Sequence, residues 1–215
     1  MADSLIFEER PADGDPAGLL VLHHGRGADE HDLIGLADVL DPQRTLHVVT
    51  PGAPLHLAGA PGRHWYVVPQ VGFPDPTTFH QTYALLAAFH DALWERTGIG
   101  PEATVLGGFS QGSVMSYALG LGADRPVPAG ILAFSGFIPR VDGWTPEVAG
   151  RQGLPVFIAH GRQDPVMEVA FGREAAQLLQ AAGLAVTYQE SDVGHQIDPA
   201  QIGPAVAWLR TALAA

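Results

Sequence analysis

Six short apolar runs alternate along the chain with longer segments whose apolar positions recur at helical spacing. The runs are Gly18–His24, Thr45–Pro51, Ala103–Phe109, Ala129–Ser135, Leu154–His160 and Ala185–Ser191. Each is about the length of a strand buried on both faces. Leu5–Pro11 reads as an antiparallel edge strand. Four helices are predicted between and after these runs: Glu30–Leu40 with Asp29 as N-cap, Phe79–Gly98 with Thr77 or Thr78 as cap, Val166–Ala182, and Ala200–Ala214. A fifth follows the Ala103–Phe109 run. Strand-helix alternation predicts an α/β fold with a mostly parallel central sheet and helices on both faces. No repeat and no low-complexity linker divides the chain, so residues 1–215 read as a single domain.

One segment breaks the pattern. Pro51–Pro76 is rich in proline and glycine and too long for a simple connection. It carries Trp65, Tyr66 and Phe73, which predicts an ordered loop packed by its own aromatics. A role in lining a site, or in moving over one, is left open.

Composition narrows the chemistry. A net charge of −12 repels phosphate backbones, so nucleic acid is not an expected partner. With no cysteine, disulfides, thiolate metal sites and a cysteine nucleophile are excluded. The start of the chain has no basic segment followed by an apolar one, and no run approaches the ~18–20 residues of a membrane span. The expectation is a cytoplasmic protein without stable membrane insertion. Ten histidines invite a metal reading, but they are mostly single and match no common ligand spacing. Adjacent His23 and His24 should point to opposite sides of a strand. No metal is expected.

The chemistry concentrates at Gly108-Phe109-Ser110-Gln111-Gly112. A strand ending at Phe109 and a helix starting near Gln111 force a sharp turn, with Ser110 at its tip. Gly108 and Gly112 remove side chains that would collide across it, which is the pattern G-x-S-x-G. A serine hydroxyl needs a base, and a histidine base needs a carboxylate to hold it. Asp164 and then His195 follow downstream, each just after a predicted strand, in the order that such turns require. His160 precedes the acid and reads as structural. Asp192 is too close in sequence to His195 to orient it, and Asp198 reads as the cap of the last helix. An oxyanion needs two donors. The backbone N–H of Gln111 is one. Arg26, between two glycines in the loop after an early strand, is the choice for the second.

These residues belong to a wider set: His24–Gly27, Arg63–Tyr66, Gly108–Ser113, Phe134–Pro139, His160–Val166 and Gly194–Ile197. With them the chain resembles the α/β-hydrolases, specifically the small carboxylesterase/lysophospholipase branch that includes acyl-protein thioesterases. The resemblance implies an α/β-hydrolase fold with no separate cap domain. It implies a cofactor-free serine hydrolase of carboxylic esters or thioesters, with Ser110, Asp164 and His195 as triad and Arg26 and Gln111 as oxyanion donors. It also places Trp65, Phe137 and Val166 in the acyl pocket. Val67 and Arg26 depart from the pattern, where an aspartate and an apolar residue are common. The expected partner is a small acyl ester or thioester. An exposed apolar rim would serve a homodimer or a lipid substrate equally well. The competing class is a non-catalytic ligand-binding module on the same fold. Acyl transfer to a second alcohol, or perhydrolysis, would use the same three residues.

Overall fold

The computed structural model describes residues 5–59 and 61–214. Residues 1–4, 60 and 215, which the single-domain reading and the Pro51–Pro76 loop include, lie outside the described residues. Seven strands form one sheet in the order β1-β3-β2-β6-β7-β8-β9. These are β1 (Phe7–Arg10), β2 (Gly18–His23), β3 (Leu46–Pro51), β6 (Thr104–Phe109), β7 (Gly130–Phe134), β8 (Pro155–Gly161) and β9 (Ala185–Ser191). β1 pairs antiparallel with β3 at one edge. All other neighbours are parallel.

Strand periodicity divides the apolar residues between two cores. Leu19, Val21, Leu106, Ile131, Ala133, Val156 and Ile158 face one side. Their neighbours Leu20, Leu22, Val105, Leu132, Phe134, Phe157 and Ala159 face the other. Burial of alternate residues on both faces is what a continuous apolar run encodes in a parallel sheet. Helices α2 (Pro76–Thr97), α3 (Gln111–Gly120) and α4 (Val169–Ala181) cover the first face. Helices α1 (Ile34–Leu40) and α5 (Ile202–Ala212) cover the second. β9 is the exception among the parallel strands. It is the outer edge, and its residues are exposed or half-buried rather than buried on both faces.

Helix starts depart from the sequence reading where capping decides them. α2 is capped by Asp75, not by Thr77 or Thr78. The Asp75 carboxylate accepts the Thr78 N–H at 2.8 Å, and Pro76 occupies the first helical position. Gly98 closes the helix at φ 70°, a conformation that glycine adopts without strain. Asp29 does not cap α1. Its side chain accepts the N–H of His31 in a turn before the helix, and α1 itself begins at Ile34. Asp198 accepts the Ala200 N–H at the start of a short 3-10 turn that leads into α5.

The Pro51–Pro76 segment contains a two-stranded ribbon, β4 (Leu55–His56) against β5 (Arg63–His64). It is stitched to the loop after β2. Gly27 donates to the Arg63 carbonyl at 2.8 Å, and Arg63 donates to the Ala28 carbonyl at 2.9 Å. A Cβ at Gly62 would overlap the Gly27 backbone, so glycine permits this approach. No helix among the described residues is long and apolar enough to cross a membrane.

Chain order places a ligand crevice. From β2 the chain moves out to β3, then returns through α2 to β6 on the other side of β2. In open sheets, ligands bind beyond the carboxyl ends of strands at such a reversal.

Candidate active site

Ser110 stands at the reversal, between β6 and α3, with φ 55° and ψ −122°. Positive φ is strained for a residue with a Cβ. Packing around the turn enforces it. A Cβ at Gly108 would lie 2.6 Å from the Gly112 carbonyl carbon, and one at Gly112 would overlap the His23 carbonyl on β2. The two glycines therefore let the turn press against β2, as the G-x-S-x-G pattern requires.

Ser110 Oγ lies 2.8 Å from His195 Nε2, and His195 Nδ1 lies 2.6 Å from Asp164 Oδ2. A carboxylate accepts, so Nδ1 carries the proton and Nε2 is free to accept from the serine hydroxyl. Asp164 is buried, and its other oxygen accepts the N–H groups of Val166 and Met167, each at 2.8 Å. These bonds fix the carboxylate before it meets the imidazole. The Phe109 ring packs 4.9 Å from the His195 ring.

The other candidates are outside the Ser110–His195–Asp164 hydrogen-bond chain, although His160 Nε2 lies 3.7 Å from Asp164 Oδ2. His160 is buried and donates from Nε2 to the Met167 carbonyl at 2.8 Å. Burial lowers its pKa and keeps it neutral. Asp192 is exposed and pairs with Arg162 at 2.6 Å. Among the described residues, no group of three histidine or acidic side chains is placed to hold a metal ion.

The loop after β2 is held by His24. Ala53 donates its N–H to His24 Nε2 at 3.0 Å, so the ring proton is on Nδ1, which donates to the Gly25 carbonyl at 2.7 Å. Carbonyl and N–H point in opposite directions across a trans peptide. Anchoring the Gly25 carbonyl on the imidazole thus turns the Arg26 N–H the other way. Among the described residues, no hydrogen bond engages the backbone N–H of Arg26 or of Gln111. Gln111 heads α3, where the first N–H groups have no partner within the helix and the helix dipole favours negative charge. A Cβ at Gly25 would lie 3.5 Å from Ser110 Cβ, so the two loops adjoin.

A cavity of about 290 Å³ opens at Ser110, walled by Tyr66, Val68, Val71, Phe137, Val166 and Met167, with Arg26 and Gln111 beside the serine. Phe137 and Val166 are among the residues that line it. Trp65, expected in the acyl pocket, does not line the cavity. It is fully buried, its indole N–H donates to the His24 carbonyl at 2.8 Å, and the next aromatic, Tyr66, forms the wall. The Gln111 side chain sets this arrangement. It accepts the Trp65 N–H at 2.7 Å and donates to the Tyr66 carbonyl at 2.8 Å. The expectation for His23 and His24 also fails. β2 ends at His23, alternation stops there, and both rings pack on Trp65, with centroids at 5.6 and 5.0 Å. Val68, Val71 and Met167 have no signal of their own in the sequence, and Tyr66 stands out only as one of the loop aromatics.

A mostly parallel sheet, a strained serine turn opening on a cavity at its switch point and the order serine, aspartate, histidine define the chain as an α/β-hydrolase. The profile of the phospholipase/carboxylesterase family matches residues 9–213, and the chain belongs to that family. Acyl-protein thioesterase 1 of Gibberella zeae is 35% identical over 132 residues, 58% of this chain and 55% of that protein. Esterase YpfH of Escherichia coli is 29% identical over 185 residues, 84% of this chain and 76% of that one. Among solved structures, esterase PE8 superposes with a TM-score of 0.84 at 31% identity, covering 97% of this chain and 99% of the other. The chain spans about half the length of the first curated relatives it matches.

Proposed function

We propose that the protein is a serine hydrolase of carboxylic esters or thioesters that works through an acyl-enzyme on Ser110. The observation that carries this reading is the hydrogen-bonded chain from Ser110 Oγ through His195 to Asp164, at 2.8 and 2.6 Å, opening on an apolar cavity. Family membership supports it, as do relatives named as a thioesterase and as esterases.

Ser110 Oγ attacks the acyl carbonyl carbon while His195 Nε2 takes the hydroxyl proton. The carbonyl oxygen becomes an oxyanion, which accepts from the N–H groups of Arg26 and Gln111. Asp164 holds the histidine tautomer and stabilises the imidazolium. The intermediate collapses, the bond to the alcohol or thiol breaks, and His195 returns its proton to the leaving group. Water then attacks the acyl-enzyme with the same histidine as base, and the acid departs as Ser110 recovers its proton. Tyr66, Val68, Val71, Phe137, Val166 and Met167 receive the acyl group.

Ser110→Ala should abolish turnover of a p-nitrophenyl acyl ester, with the far-ultraviolet circular dichroism spectrum unchanged. Undiminished turnover in that variant would refute the assignment.

A further inference from the structure

The chain has no lysine, and its eleven arginines are set against twenty-three acidic residues. Eight of the eleven reach a carboxylate. Arg151 instead donates to three backbone carbonyls. Two guanidinium groups have no partner among the described residues, Arg26 and Arg210. Arg210 lies in the last turn of α5, where the helix dipole favours a cation. Nothing comparable accounts for Arg26. It is exposed, it borders the cavity that holds Ser110, and it is the one charged residue there. The carboxylates nearest in sequence are engaged elsewhere. Asp29 accepts from His31, and Glu30 lies against Arg63 and His31.

We propose that Arg26 selects substrates with an anionic group, a carboxylate or phosphate a few bonds from the reacting carbonyl. This rests on the serine hydrolase reading. The backbone of Arg26 is assigned to the oxyanion, so its side chain starts beside the reacting carbon. A guanidinium presents two parallel N–H donors that match a carboxylate or phosphate edge, and such charge-assisted pairs are stronger than neutral ones. The surrounding wall is apolar, which leaves the anion no other cationic partner in the cavity. On a molecule with net charge −12, this cation also offsets the general repulsion of an anionic substrate at the site of reaction.

The test compares matched neutral and anionic esters in two arms, each followed by titration of the acid released. One arm sets ethyl butyrate against monoethyl succinate, with the anion on the acyl side. The other sets monoacetylglycerol against its 3-phosphate, with the anion on the leaving group. At low salt the wild-type enzyme should favour the anionic member of at least one pair by about tenfold or more in kcat/KM, chiefly through KM. Arg26→Gln should collapse that ratio to one or below, whatever it does to the two rates separately. Arg26→Lys should keep part of it, and rising ionic strength should erode it in the wild type. Which arm responds tells on which side the anion sits. A neutral preference in both arms, or a ratio unchanged in Arg26→Gln, overturns the proposal while leaving the hydrolase reading intact. A wild-type protein inert to all four esters overturns both.

Discussion

At the scale of single residues, the site depends on where one proton sits. His195 must carry hydrogen on Nδ1 so that Nε2 can accept from Ser110, and the Asp164 carboxylate, 2.6 Å away, enforces that tautomer. Asn in place of Asp164 would still present an oxygen to the N–H groups of Val166 and Met167, so the turn is kept. Its amide would face Nδ1 as a donor and favour the opposite tautomer. Asp164→Asn should therefore lower kcat by on the order of 10⁴, with KM and Tm little changed. A loss below about tenfold would contradict the role given to the carboxylate. The three residues of this chain were legible from sequence because their order and their places after strands are themselves constraints of the turn. The cavity wall was less legible. Trp65 and Tyr66 are adjacent aromatics in an irregular loop, and nothing in their spacing says which faces outward. That choice is made by the Gln111 side chain, which bonds both backbones across forty-six and forty-five residues of sequence.

At the scale of elements, apolar runs predicted the strands because burial on both faces leaves no polar position to confuse them. β9 was read alike, yet it is exposed along the sheet edge. Its apolar content does not report its neighbour count, which is a property of topology. Helix starts were misplaced where a cap lies outside the apolar pattern. Asp75 precedes a proline and two threonines, and all four residues are good candidates for the start of a helix. Only the Asp75 to Thr78 hydrogen bond chooses among them. The β4–β5 ribbon was invisible, since two-residue strands have no period. It is held because the Arg63 N–H and carbonyl both bond to the Gly27–Ala28 backbone. The same bonds tie it to the loop that carries Arg26. α3 is buried along its whole length, so its apolar content does not define a single inward face. The turn before it, by contrast, was readable from its glycines.

At the scale of the whole molecule, the sheet reversal brings residues from distant parts of the chain to one edge, and the core beneath them is sensitive to acid. Burial holds His23 down at about 3. It also lowers His24, His90 and His160. Unfolded histidines take up protons near 6.5, so below that pH the unfolded chain binds more protons than the folded one. Stability is therefore complete above about pH 7 and is lost as pH falls toward 4.5. Carboxylates held low by partners, such as Glu190 at about 2 beside Arg173, add their own loss only at lower pH. Asp32, raised by burial, works in the opposite direction over part of the range. Tm measured from pH 8 to 4.5 should fall, and the slope should be shallower in His90→Leu. A flat profile, or one unchanged by that substitution, would contradict the account. The claim on which the function depends concerns one oxygen atom. Intact-mass spectrometry after exposure to a fluorophosphonate should show one adduct, mapped to the peptide containing Ser110 and lost in Ser110→Ala. An unmodified protein, or an adduct on another residue, would contradict it.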